Sequence, residues 1–143
     1  MCSVILWLKH GNSYMSSVQF MSFLSADGIK LLNLDVPAMV EIGKSAVMTC
    51  DYDLEGGHLY SVKWYKDDVE FYRFIPRTIS KRIKIFNTTG VYLANSTTEK
   101  VVKLENIDIS TSGVYKCEVS GESPHFQTQH GEKKLFVYSK YNL

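Results

Sequence analysis

The chain has 143 residues, 45% of them hydrophobic and 22% charged, with a formal net charge of +1. That length fits one domain, the balance is globular rather than disordered, and near-neutrality argues against a nucleic-acid-binding domain, which carries a basic excess. No run of 18 apolar residues occurs, so no transmembrane helix is expected.

At the N-terminus, Val4 to Leu8 is a short apolar run ended by Lys9 and His10. Val18 to Leu24 is a second, interrupted by Gln19 and Ser22. A secretory signal has a longer apolar core and small residues before its cleavage site, and Leu24 is not small. Residues 1–28 therefore read as an atypical leader or a disordered tail. From there short apolar stretches alternate with turn signals, and no helical period emerges. Leu31 to Val36 stops at Pro37, which suits an edge strand. Met39 to Ile42 and Ser45 to Tyr52 follow, the latter with Ala46, Met48 and Cys50 on one face. After Glu55-Gly56-Gly57, Leu59 to Lys66 alternates Val62 and Trp64 with Lys63 and Tyr65. Asp67-Asp68 turns the chain into Glu70 to Ile75. Further strands are expected at Ile83 to Phe86, Val91 to Ala94, Val101 to Leu104, Val114 to Ser120 and Lys134 to Tyr138. Arg77 to Lys84 reads as a basic loop or edge and Ser123 to His130 as a loop. About nine strands at short, regular intervals indicate an all-β sandwich or barrel.

Cys50, Trp64 and Cys117 narrow this further. Trp64 follows Cys50 by fourteen residues on the next strand, and Cys117 lies 67 positions after Cys50. In an immunoglobulin domain a disulfide joins strands B and F, and a Trp on strand C packs against it. Tyr115, two residues before Cys117, fits the tyrosine corner of strand F. The expected fold is an immunoglobulin-like sandwich of variable type, two antiparallel sheets over residues 29–140. Closing so long a loop stabilises the domain by roughly 4 kcal/mol in the chain-entropy picture. Variable-type domains usually carry Asp where this chain has Thr111, so the ion pair that Asp makes across the barrel end is absent. A bridge and the sequons at Asn87 and Asn95 fit an oxidising compartment, hence an extracellular, secreted or cell-surface glycoprotein.

No catalytic, cofactor or metal site is expected. His10, His58, His125 and His130 have no ligand spacing, and no nucleophile elbow, phosphate loop or zinc helix occurs. Asp67-Asp68 reads as a turn rather than paired acids. Lys81, Arg82 and Lys84 read equally as a basic patch for heparin or phosphate, or as an edge strand that resists aggregation.

Alternation also defines a candidate binding face. With Trp64 and Cys117 inward, Lys63, Tyr65, Lys116 and Glu118 point outward from the same sheet. On the last strand Leu135 and Val137 fit the core, leaving Phe136 and Tyr138 outside. One alternate set of Phe71 to Phe74 must also face solvent, and Phe71 and Arg73 are assigned to the face. Exposed aromatics beside Arg are the residue types enriched in interfaces.

Longer strings carry a narrower resemblance. Cys50-Asp51-Tyr52-Asp53-Leu54-Glu55-Gly56, then Leu59-Tyr60-Ser61-Val62-Lys63-Trp64-Tyr65-Lys66-Asp67, closely resemble the first immunoglobulin domain of the beaten path family of insect neuronal proteins. So do Glu70-Phe71-Tyr72-Arg73-Phe74-Ile75-Pro76, Cys117-Glu118-Val119-Ser120, Ser123-Pro124 and Phe126-Gln127-Thr128. The resemblance covers roughly Leu31 to Tyr138. It implies a neuronal recognition protein of axon guidance, not an enzyme, that binds a sidestep-type immunoglobulin-superfamily transmembrane protein. Homophilic adhesion, including a homodimer, is the second reading, and a sandwich-fold enzyme or small-ligand binder the third. Family members look like two-domain proteins, so residues 141–143 read as a truncated tail and the chain as a fragment.

Overall fold

A computed structural model describes residues 7–10, 13–16, 28–124 and 126–142. β1 (Trp7–His10) and β2 (Ser13–Ser16) pair antiparallel. The remainder of the expected leader or tail, with Cys2, lies outside the described residues apart from Gly28, as do His125 and Leu143.

The other strands are β3 (Lys30–Asp35), β4 (Met39–Glu41), β5 (Ala46–Asp53), β6 (Leu59–Lys66), β7 (Val69–Phe74), β8 (Ile83–Ile85), β9 (Val101–Leu104), β10 (Gly113–Gly121) and β11 (Thr128–Tyr138). They form a three-stranded sheet, β3-β5-β9, and a six-stranded sheet, β4-β11-β10-β6-β7-β8. No α-helix occurs among the described residues; Ile109–Thr111 and Lys140–Asn142 are single 3-10 turns. The fold is the all-β, variable-type sandwich that the spacing predicts.

Pro37 divides the first strand. Lacking an N–H, it cannot continue a ladder. The chain before it pairs antiparallel with β5, and the chain after it pairs parallel with β11. The core lies where the inward rows of the two sheets meet. Met48, Val62, Trp64, Val102, Leu104, Tyr115 and Val119 are all fully buried. Cys50 and Cys117 are bonded across it, their Cα atoms 6.4 Å apart. Trp64 is the direct cross-strand partner of Cys117, and its Nε1–H donates to Glu99 O at 3.2 Å. The Tyr115 hydroxyl donates to Thr111 O at 2.6 Å, which forms the tyrosine corner.

Thr111 itself is fully buried. Its Oγ1 donates to Gly90 O at 2.7 Å and accepts from the Asp108 N–H at 3.2 Å. A neutral hydroxyl thus ties Gly90 and Asp108 together at this end of the sandwich. Gly90 is required there: its φ is +80°, and a Cβ would sit 2.2 Å from Ser110 O.

Three expectations change. Val91 to Ala94 is not a ladder strand; it joins β9 through one bridge, Leu93 to Leu104. The last strand starts at Thr128, six residues before the predicted Lys134, so the end of the Ser123 to His130 loop is strand. Thr128, Gln129 and His130 are polar and exposed, and pairing with Ser120, Val119 and Glu118 holds them extended. The third change concerns Phe71.

Candidate protein-binding face

β6, β7 and β10 supply the outer face of the larger sheet. Register sets Lys116 opposite Tyr65, Glu118 opposite Lys63, and Lys63 opposite Arg73. These five side chains share the surface away from the core, because Trp64 and Cys117 between them are inward.

Phe71 does not join them. It is completely buried and packs edge-on against Tyr115, ring centroids 6.1 Å apart. The β6–β7 pairing slips between Trp64 and Tyr65, so Trp64 faces Tyr72 while Tyr65 faces Glu70. One extra residue is accommodated as a β-bulge, and Phe71 and Tyr72 both turn inward. The bulge has a second effect. Residues three apart on a regular strand point to opposite faces. Here Glu70 and Arg73 share the outer one, where Arg73 Nε and Nη2 donate to Glu70 Oε1 and Oε2 at 2.6 and 2.7 Å. That bidentate geometry is a strong pairing for Arg.

Two contact clusters follow, one around Tyr65 and Lys116 and one around Arg73 and Phe86. The Tyr65 hydroxyl donates to Glu118 Oε1 at 3.3 Å. Lys116 Nζ stands 4.6 Å from the Tyr65 ring centroid and 3.2 Å from Asp68 Oδ1. Arg73 lies over the Phe86 ring at 5.4 Å and Lys84 at 5.1 Å. Partial burial, then the charges of Glu118 and Glu70, push the Tyr65 phenol up to about 12. Tyr65 therefore stays a neutral donor at physiological pH. Glu70, Asp68 and Phe86 complete the face but escape sequence reasoning. Only their proximity to Arg73 and Lys116 reveals them, and that proximity comes from the bulge and the turn.

The turn is Asp67-Asp68, both at positive φ (48° and 65°). That is the two-residue hairpin geometry that Asp tolerates. Asp67 Oδ1 also accepts from the Val114 N–H at 2.8 Å. Both acids are structural.

At the β4 end, Phe136 is 57% exposed and is the register partner of Met39, equally exposed; Tyr138 is half-buried. Asn87 and Asn95 are exposed and lie outside every strand.

The far end of the sandwich holds a cavity of about 400 Å³ between the Leu54–His58 and Gly121–Pro124 segments. Its two carboxylates are engaged, Glu55 with Lys30 at 2.9 Å and Glu122 with Arg77 at 3.0 Å. Among the described residues no three His, Cys, Asp or Glu side chains converge as a metal site.

The two sheets, the Cys50–Cys117 bridge and the tyrosine corner define a variable-type immunoglobulin domain. Residues 35–138 match the Immunoglobulin V-set domain family, and the chain belongs to it. Members of this class are typically non-enzymatic binding modules. No curated protein matches the sequence. In three dimensions the chain is similar to one in a complex of the mouse coronavirus receptor-binding domain with its murine receptor. There the TM-score is 0.58 at 16% identity, covering 75% of this chain and 53% of that one. It is also similar to domain 1 of VCBP3 from Branchiostoma floridae (0.55, 15%, covering 76% and 93%). The N-terminal Ig1-2 module of the Drosophila receptor protein tyrosine phosphatase DLAR is a further likeness (0.51, 14%, covering 77% and 45%). At these identities the likeness is one of fold.

Proposed function

We propose that this is an extracellular neuronal recognition domain whose outer sheet face docks on a sidestep-type immunoglobulin-superfamily surface protein. The observation that carries the reading is the face built by Lys63, Tyr65, Arg73, Lys116 and Glu118, extended by Phe136 and Tyr138. Arg73 and Lys116 are already held by Glu70 and Asp68, so these two long side chains lose little freedom on docking. Asn87 and Asn95 are exposed and lie outside the strands that carry the face. The Cys50–Cys117 bridge supports secretion into an oxidising compartment. The sequence strings around Cys50, Trp64 and Phe71 support the beaten path assignment and, through it, a role in axon guidance.

The test is surface plasmon resonance of the glycosylated chain against a sidestep-type ectodomain. Tyr65→Ala and Phe136→Ala each weaken binding roughly tenfold or more, about 1.4 kcal/mol, with Tm nearly unchanged. If both variants bind as tightly as the parent, the face reading fails and the loops around Glu55–Gly57 and Ser123–Pro124 become the site. Sedimentation of the chain alone tests the homophilic reading: a dimer that both substitutions dissociate overturns the heterophilic one.

A further inference from the structure

Charge is unevenly spread along this near-neutral chain. Residues 71–98 carry five Lys or Arg and no Asp or Glu, whereas the rest carries 11 basic against 15 acidic residues. All five cations lie on one hairpin, formed by β7, β8 and the segment between them. Arg73 is neutralised by Glu70 and Arg77 by Glu122. Lys81, Arg82 and Lys84 are exposed, and none is in an ion pair among the described residues.

The geometry concentrates them. Arg82 immediately precedes β8 and Lys84 lies within it; the Ile75 N–H donates to Arg82 O at 2.8 Å, so the pairing runs on through Arg82 and these two residues, two apart, share a face about 7 Å apart. Lys84 is the register partner of Arg73, and Arg73 of Lys63. A cationic row thus crosses three adjacent strands, roughly 10 Å at normal strand spacing. The Phe86 ring lies beneath Lys84 and Arg73. β8 is also the edge of its sheet, open on one side to a long ligand.

We infer that the β7–β8 hairpin is a binding site for a sulfated glycosaminoglycan, with Lys81, Arg82 and Lys84 as its principal contacts. A linear polyanion matches Lys81, Arg82 and Lys84, three neighbouring cations with no carboxylate partner among the described residues, and binding releases its condensed counterions. Single-stranded nucleic acid would need free aromatic platforms for stacking; Phe86 is half-buried beneath its two cations. A disulfide-bonded domain fits an oxidising, extracellular setting, where sulfated polysaccharides are the abundant polyanions. The site lies beside the proposed protein-binding face but does not depend on it, since heparin binding needs no partner protein.

The experiment measures binding of the full chain to immobilised heparin across a salt series. The comparison is between the triple variant Lys81→Gln, Arg82→Gln, Lys84→Gln and a charge-matched control. The control is Lys44→Gln, Lys133→Gln, Lys134→Gln, three other exposed lysines outside any ion pair among the described residues. The hairpin variant loses at least tenfold in affinity, its log–log salt slope falls by about 2 to 3, and the control stays within twofold of the parent. Unchanged circular dichroism and Tm show that both variants fold. The inference is overturned if the parent does not bind, if both triple variants lose equally, or if desulfated heparin or a single-stranded oligonucleotide of equal charge binds as tightly.

Discussion

Replacing Thr111 with Val keeps the shape of a fully buried side chain and removes both hydrogen bonds of its hydroxyl. Gly90 O, itself buried, loses its donor at 2.7 Å. An orphaned buried carbonyl costs about 1–3 kcal/mol. The Asp108 N–H, in a half-buried residue, loses its acceptor at 3.2 Å; water can replace this partner, so its loss adds only about 0.5 kcal/mol. The sum is about 1.5–3.5 kcal/mol, and at roughly 4 °C per kcal/mol for a domain near this size Tm falls about 6–14 °C. Thr111→Asp, which restores the residue usual in variable-type domains, costs more. It buries a carboxylate beside Asp108 and leaves Gly90 O without its donor, for about 3 kcal/mol or more. Urea unfolding of the purified chain, followed by tryptophan fluorescence, measures both. If Thr111→Val stays within about 0.5 kcal/mol of the parent, the hydroxyl does not hold the barrel end. An Asp variant more stable than the Val variant would contradict the account equally.

Trp64→Ala removes a fully buried ring and destabilises by about 3–5 kcal/mol, read by urea unfolding followed with circular dichroism because the variant lacks the core fluorophore. Phe71→Ala costs a similar amount, while Phe136→Ala changes stability by less than about 1 kcal/mol; equal effects would contradict the bulge. Tyr72→Phe is neutral or stabilising by about 1 kcal/mol, because Tyr72 Oη is buried with no hydrogen-bond partner among the described residues; a loss above about 1 kcal/mol would mean the hydroxyl is satisfied. Burial, assisted by nearby carboxylates, pushes Tyr52, Tyr65 and Tyr72 up to about 12, whereas unfolded tyrosines lose their protons near 10. Between pH 10 and 12 the unfolded chain therefore binds fewer protons, and stability falls as pH rises. Urea midpoints that stay flat from pH 9 to 11.5 would refute this sign.

Much of the fold is legible locally. Period-two alternation around Ala46, Met48 and Cys50 and around Val62 and Trp64 marks inward rows, since a half-buried strand must separate its apolar side chains from its polar ones. The Cys50, Trp64, Tyr115 and Cys117 spacing then sets how those strands face each other. Alternation likewise places Lys63, Tyr65, Lys116 and Glu118 on one outer surface, because a neighbour's face follows from its own strand alone.

What the tertiary structure decided depends on a partner strand. The slip between β6 and β7 turns Phe71 inward and brings Glu70 to Arg73, and no local pattern in Glu-Phe-Tyr-Arg distinguishes a bulge from a regular strand. Thr128 to His130 has no apolar alternation, so only the hydrogen bonds offered by β10 make it strand. Thr111 finds Gly90 21 residues away, and the two meet only once the sheets have closed. Hydrophobic period is a property of a segment; register, bulges and long-range hydrogen bonds belong to pairs of segments and are fixed when those pairs dock.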